Sequence, residues 1–160
     1  MTLQKKVYEK QATGVVGDFA DNSPKRVAAY VVRANSDKNP LIGCACTLKD
    51  KDNEAQIGGS GSFAGVIVGP KQYALATLET TLELPDGSFA QVCSMGRVYV
   101  VSKNAVKPGY VAAFDPATGE LYAYADAAAA TEAEHSLIAG ARFMFYESEA
   151  GEPAILELNS

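Results

Sequence analysis

Short apolar runs recur along the chain from residue 27 onward, and turn-forming residues separate them. In the run 78–84, leucine and threonine at the even positions alternate with glutamate and threonine at the odd ones, which is the period of a half-buried strand. Short runs of this kind predict an all-β fold, namely a single jelly-roll-like sandwich or barrel of short antiparallel strands. The runs predicted as strands are 27–32, 41–48, 63–68, 78–84, 89–95, 97–101, 111–114, 121–125, 141–148 and 154–158.

Three of the intervening segments have the composition of hairpin turns. In the segment 85–87, proline fixes φ at the first central position and glycine accepts a positive φ, so the flanking runs are predicted to pair. The segments 115–119 and 149–153 give the same signal for the later runs. A fourth segment, 126–134, is rich in alanine and has an aspartate that could cap a helix, and both a short helix and a loop fit it.

The first 26 residues differ from the remainder in composition and charge. They carry five basic and three acidic residues, a net charge of +2, whereas the other residues carry 9 basic and 16 acidic, a net charge of −7. Few of them are apolar, and turn formers occupy 21–24. We therefore predict an extended N-terminal arm over 1–26 and a β-domain over 27–160. If the arm is ordered, contact with its own domain or with another subunit orders it.

Few side chains suited to catalysis or metal binding are present. The chain of 160 residues has one histidine, three cysteines and no tryptophan. The sequence has no G-x-S-x-G turn that would present a nucleophile for His135 to activate. The glycines near residue 60 are not followed by the lysine and hydroxyl residue of a phosphate-binding loop. We expect no catalytic residue, no metal ligand set and no cofactor. The odd number of cysteines favours a reducing compartment and small buried thiols.

Charge and hydropathy also bear on partners. An acidic body repels nucleic acid, so we expect no nucleic-acid partner. No run approaches the roughly 18 apolar residues of a membrane-spanning helix, and the first residues lack the apolar stretch of a signal peptide. We therefore expect neither a membrane association nor export.

Several strings, in order along nearly the whole chain, resemble those of tailed-bacteriophage capsid decoration proteins, also called structural cement proteins. The sequence GDFADNSPKR at 17–26 is similar to the opening of that family, and GRVYV at 96–100 and IAGARF at 138–143 are similar to its later strands. Further resembling strings are SFAGV at 62–66, LPDGS at 84–88, VKPGYV at 106–111 and DPATG at 115–119.

The resemblance implies a β-rich virion protein, made in the host bacterial cytoplasm, that binds the outer surface of a phage head. Its partners would be the major capsid protein and itself, as a homodimer by preference or as a homotrimer. Such proteins bridge neighbouring capsomers and stabilise the shell against internal DNA pressure, with no catalysis or cofactor. Together with the composition of the arm, it suggests apolar anchors at Val7, Tyr8 and Phe19, and cations at Lys25 and Arg26 that meet acidic groups of the capsid or a neighbour.

Two other functions stay open from the residues alone. Eight tyrosines allow a carbohydrate- or receptor-binding β module of a phage fibre or spike, although such modules often display tryptophan. Exposed tyrosines clustered on one face would favour that function. A small β-barrel enzyme is disfavoured because groups for acid–base or metal catalysis are scarce.

Overall fold

The computed structural model describes residues 14–69 and 83–159. Nine strands and one short helix form the described part. The strands are β1 (Arg26–Arg33), β2 (Ala45–Leu48), β3 (Glu54–Ile57), β4 (Phe63–Val68), β5 (Ser88–Val101), β6 (Val111–Phe114), β7 (Leu121–Tyr124), β8 (Ser136–Met144) and β9 (Pro153–Asn159), and the helix is α1 (Ala127–Glu132). The predicted all-β class is confirmed.

One sheet contains all nine strands, in the order β1-β3-β2-β4-β5-β9-β8-β6-β7. An additional pairing of β1 with β5 closes the first five of these into a barrel. The remaining strands extend from the other half of β5, and a bridge between Ser102 and Leu121 brings β7 back toward the end of β5. The long strand β5 is therefore shared by two curved parts of the molecule. β1 and β3 pair in parallel, which departs from the expected antiparallel pattern.

Each curved part has its own apolar core. Inside the five-stranded barrel, Val32, Ile57 and Ile67 are almost completely buried. The second core contains Val98, Phe143 and Leu156, which belong to β5, β8 and β9. Because side chains alternate across a strand, the intervening residues of β5, β8 and β9 lie on the outer face of the sheet.

The turn at 85–87 is present. The predicted pairing of 78–84 with 89–95 across this turn is wrong for the residues that the structure describes. Beyond the turn, β5 pairs with β1 and β4. Before the turn, Glu83 bridges Leu41, and Leu84 donates its backbone N–H to the Pro40 carbonyl at 2.8 Å. Residues 78–82 lie outside the described residues.

The two later hairpin predictions are confirmed, since β6 pairs with β7 and β8 pairs with β9, both antiparallel. In the segment 126–134, for which a short helix and a loop both fitted the sequence, the structure has the helix α1. The Asp126 carboxylate caps this helix by accepting a hydrogen bond from the Ala129 N–H. The runs 89–95 and 97–101 form one strand rather than two. In that strand Gly96 has a φ of 133°, a conformation that glycine adopts readily.

The described end of the predicted arm pairs with the domain. Gly17 and Ala20 donate backbone hydrogen bonds to the carbonyls of Tyr99 and Arg97, and Tyr99 donates to Asp18. Phe19 forms a β-bridge with Val98. Residues 17–20 thus extend the sheet at β5, while the division of the chain into an arm over 1–26 and a domain over 27–160 stays a prediction.

The three cysteines are buried free thiols, as predicted. Burial raises the pKa of the Cys44 thiol to about 12, so it is protonated at neutral pH. In the described ranges, no helix has the length and hydropathy needed to cross a membrane.

Candidate functional site

The outer face of the sheet carries a cluster of arginines where β1, β5, β9 and β8 run side by side. Arg26 lies opposite Met95. Arg97 lies opposite Glu157, which in turn lies opposite Arg142. Residues directly opposite one another in antiparallel strands share a face, as do residues two apart on one strand. Arg26, Arg97 and Arg142 therefore project from the same surface.

A phenylalanine completes this surface, since the Arg97 guanidinium is 5.3 Å from the centre of the Phe145 ring. We call this surface the basic–aromatic patch, and its members are Arg26, Arg97, Arg142 and Phe145. Phe19 and Lys25 form a separate pair on the other face of β5, where the Lys25 ammonium is 4.5 Å from the centre of the Phe19 ring. Phe19 belongs to that face because it lies opposite the buried Val98.

Arg97 holds the patch together through two carboxylates. Its guanidinium donates to Asp21 at 2.8 Å and to Glu157 at 2.6 Å. Hydrogen bonds from Ser23 and from Arg97 lower the pKa of Asp21 to about 2. Hydrogen bonds from Arg97 and then from Asn159 lower the pKa of Glu157. Both carboxylates are therefore ionised at neutral pH, and they fix Arg97 between the N-terminal segment and β9.

The position of Lys25 depends on a glycine in the neighbouring strand. A Cβ at Gly96 would lie 3.1 Å from the Lys25 Cβ, and the φ of 133° is one that other residues rarely adopt. Glycine at this position lets Lys25 lie close to β5 and reach the Phe19 ring. Phe19 itself is half-buried and packs against the second core, so its ring is a fixed support for the cation.

Phe145 is unusual in both its exposure and its backbone conformation. It follows β8 directly, and 51 % of the residue is exposed. Its φ of 69° lies in the left-handed region, which is unusual for a bulky residue. Such strain persists only where the surroundings impose it, and it concentrates at functional sites.

The charge of the patch is opposite to that of the protein as a whole. Its three arginines and the two carboxylates bound to Arg97 sum to +1, whereas the chain has a net charge of −5. Arginine and aromatic residues are enriched among the residues that dominate protein–protein binding. The arrangement is therefore suited to recognising an acidic surface with accessible apolar groups.

Of the five residues predicted as contacts, the structure brings Phe19 and Lys25 together and places Arg26 in the basic–aromatic patch on the other face of β5. Phe19 is more deeply packed against its own domain than an anchor on a free arm would be. Val7 and Tyr8 lie outside the described residues. That any of the five contacts a partner remains a prediction.

Sequence reasoning missed Arg97, Arg142 and Phe145 as site residues. Arg97 and Arg142 did lie within strings that carried the family resemblance. Their convergence depends on the register of three strands, and no local pattern specifies that register. The exposed Phe145 gave no signal in the sequence.

A separate aromatic cluster lies on β7. Tyr122 and Tyr124 project from the same face, and their ring centres are 6.4 Å apart. The Tyr124 hydroxyl is 2.6 Å from the Nδ1 atom of His135, and the His135 ring centre lies 4.0 Å from that of Tyr122. Over the described ranges, no group of three or more histidine, cysteine and carboxylate side chains is placed to hold a metal ion.

Comparison with protein families gives a match over nearly the whole chain. The model of the phage cement family, described as structural cement protein (E217 gp24/Pam3 gp6), matches residues 3–159. No curated protein sequence matches the chain significantly.

Two solved structures share the fold. One is from the capsid of Myoviridae phage XM1, with 17 % identity, a TM-score of 0.66, and coverage of 100 % of this chain and 99 % of that chain. The other is the head fiber gp8.5 N base of bacteriophage phi29, with 12 % identity, a TM-score of 0.50, and coverage of 84 % of this chain and 95 % of that chain. At these identities the likeness concerns the fold alone.

Proposed function

Because this chain belongs to the phage family of structural cement proteins, we propose that it coats the outer surface of a tailed-phage head and joins neighbouring capsomers of the major capsid protein. Capsid decoration and a place in the virion follow from membership of the family. The outer location, the bridging of capsomers and the surface that makes the contact are the proposed parts.

The observation that carries the proposal is the basic–aromatic patch on an otherwise acidic protein. Complementary charge orients a protein on its partner and accelerates its association. Since the rest of the chain is acidic, an acidic site on the capsid would attract the patch and repel other surfaces. Phe145 would supply the apolar contact, and Arg26 and Arg142 would meet carboxylates beside it.

Bridging requires that one cement assembly touch more than one capsomer. A homo-oligomer achieves this, because linked weak contacts become durable when all are made at once. We favour a homodimer, since cyclic dimers are the commonest soluble oligomers, with a homotrimer as the alternative. Each bridge would resist separation of capsomers under the pressure of packaged DNA.

The proposal is tested by co-sedimentation of purified protein with heads that lack their cement protein. A double variant, Arg26→Gln with Arg142→Gln, should bind at least about tenfold more weakly, a loss of about 1.4 kcal/mol. The matched control is Lys49→Gln with Lys51→Gln, which removes the same charge from the exposed loop between β2 and β3. Equal weakening in both double variants, or in neither, would argue against the patch as the contact.

One observation favours a second function, that of a glycan-binding module. Tyr122 and Tyr124 lie on one face of the terminal strand β7, and aromatic pairs of this kind can stack on sugars. Binding of the wild-type protein to a glycan array, lost in Tyr122→Ala, together with no binding to heads, would favour that function over capsid attachment.

A further inference from the structure

A pocket of about 200 Å³ opens beside the N-terminal segment, on a part of the surface that the basic–aromatic patch does not include. Its walls are mostly apolar and include Val16, Leu41, Ile42 and Leu121. At its rim, the Lys103 ammonium and a Glu120 carboxylate oxygen are 2.9 Å apart. A dry apolar cavity of about 150 Å³ can accept benzene, so this pocket has room for one aromatic ring.

A second pocket of about 300 Å³ adjoins the first, since both are lined by Leu41, Cys44 and Glu120. This second pocket is acidic, because Asp37, Glu83 and Glu120 line it together with a single lysine, Lys38. The β-bridge between Leu41 and Glu83 places the backbone of Glu83 beside a residue that lines both pockets.

Together the two pockets define the chemistry of their occupant. It must be an extended segment that carries an apolar or aromatic side chain close to basic ones. A buried tyrosine would fit well, because its ring needs apolar walls and its hydroxyl needs a hydrogen-bonding partner such as the Lys103–Glu120 pair at the rim. The sequence Lys5-Lys6-Val7-Tyr8 of this chain has that composition.

We propose that the paired pockets bind residues 5–8 of a second copy of this chain, with Tyr8 in the apolar pocket and Lys5 and Lys6 beside the acidic one. Each copy has a basic segment and an acidic pocket. In a dimer, the basic segment of each copy can therefore bind the acidic pocket of the other. Such an exchange is isologous and closes as a two-fold dimer. The separation of charge between a +2 N-terminal part and a −7 remainder suits this exchange.

The proposed contact joins cement copies and does not involve the capsid. It therefore gives Val7 and Tyr8 a role between neighbours, while the basic–aromatic patch retains the role toward the shell. Failure of capsid binding would leave self-association intact, and failure of self-association would leave single copies able to bind through the patch. The two proposals are thus distinguishable in solution.

The test is sedimentation velocity of the full chain over a range of concentrations, with Tyr8→Ala as the variant. We expect the wild-type protein to dimerise, and we expect Tyr8→Ala to raise the dissociation constant at least tenfold, which corresponds to about 1.4 kcal/mol. Phe89→Ala is the matched control, since it truncates another aromatic residue, 62 % exposed, that lines neither pocket. A monomeric wild-type protein, or a dimer weakened by Phe89→Ala and not by Tyr8→Ala, would overturn the proposal.

A competition experiment excludes misfolding of the variant as the cause. A synthetic peptide of residues 1–13, added in excess to the wild-type dimer, should dissociate it, whereas a peptide of the same composition in scrambled order should not. Glu83→Lys should itself weaken the dimer, because it reverses one charge of the acidic pocket. Persistence of the dimer in excess peptide contradicts the proposal.

Discussion

Arg97 shows how a single residue can set the geometry of a surface. It binds one carboxylate from the N-terminal segment and another from β9, and its guanidinium also faces the Phe145 ring. Each ion pair is partly exposed, and such pairs add little stability individually. Their combined effect is positional, because they connect the N-terminal segment and β9 to β5 at the basic–aromatic patch.

The ion pairs of Arg97 predict how stability depends on pH. The pKa of Asp21, about 2 in the folded protein, and that of Glu157 both lie below their ordinary values. A carboxylate with a depressed pKa stabilises the fold above its unfolded pKa, and this stabilisation disappears as the pH falls through the folded value. Thermal unfolding should therefore show Tm falling between about pH 5 and about pH 2, and falling less in Arg97→Gln. An equal fall in both proteins would contradict these contacts.

At the scale of elements, the long strand β5 organises the molecule. It closes the five-stranded barrel with β1, carries β9 along its other half, and receives residues 17–20 as an additional pairing. The basic–aromatic patch lies where these pairings meet. Its members are distant in sequence, and only β5 brings them to one surface.

The N-terminal segment gives a prediction through two truncations. Removing residues 1–13 retains the pairing of residues 17–20 with β5. At protein concentrations below the dissociation constant of the dimer, this truncation is the reference for a longer one. Removing residues 1–20 deletes three backbone hydrogen bonds to β5 and the packing of Phe19. At roughly 1 kcal/mol for each hydrogen bond, the loss should be about 3 kcal/mol or more by urea denaturation. Equal stability of the two truncations would contradict the described pairing.

The hairpin of β6 and β7 docks on the barrel through a glycine. Gly119 has a φ of 74°, and a Cβ there would lie 2.6 Å from the Ala45 carbonyl oxygen and 2.8 Å from the Gly58 nitrogen. Gly119→Ala should therefore cost clearly more than the roughly 1–2 kcal/mol of left-handed strain alone. Gly109→Ala is the control, because its φ is 90° and no atom lies within 4 Å of an added Cβ. Urea denaturation should show the difference, and equal losses would indicate that Gly119 has more space than described.

Local patterns were sufficient for much of this fold and not for the site. The alternation of apolar and polar residues and the turn-forming residues predicted the all-β fold class, the two later hairpins and the end of β4 at residue 68. They could not predict that the runs on both sides of Gly96 form one strand, or that β1 pairs with β5, because such pairings depend on contacts far apart in sequence. For the same reason, Phe19, Lys25 and Arg26 could be proposed from one string, whereas Arg97, Arg142 and Phe145 required the sheet register.

At the scale of the whole molecule, charge is distributed unevenly. The chain is acidic overall, yet the basic–aromatic patch and its two carboxylates sum to +1. Like charges repel when an acidic surface approaches an acidic partner, so the patch is the surface that can approach most closely. Since exposed charges are screened by salt, we expect attachment to an acidic shell to weaken as ionic strength rises.

The orientation of the protein on the shell tests the central claim most directly. A cryo-electron microscopy reconstruction of decorated heads would show which surface of the cement protein contacts the major capsid protein. We expect Phe145 and Arg142 at that contact, with capsid carboxylates near Arg26 and Arg142. A reconstruction in which the basic–aromatic patch faces solvent, and another surface meets the shell, would contradict it.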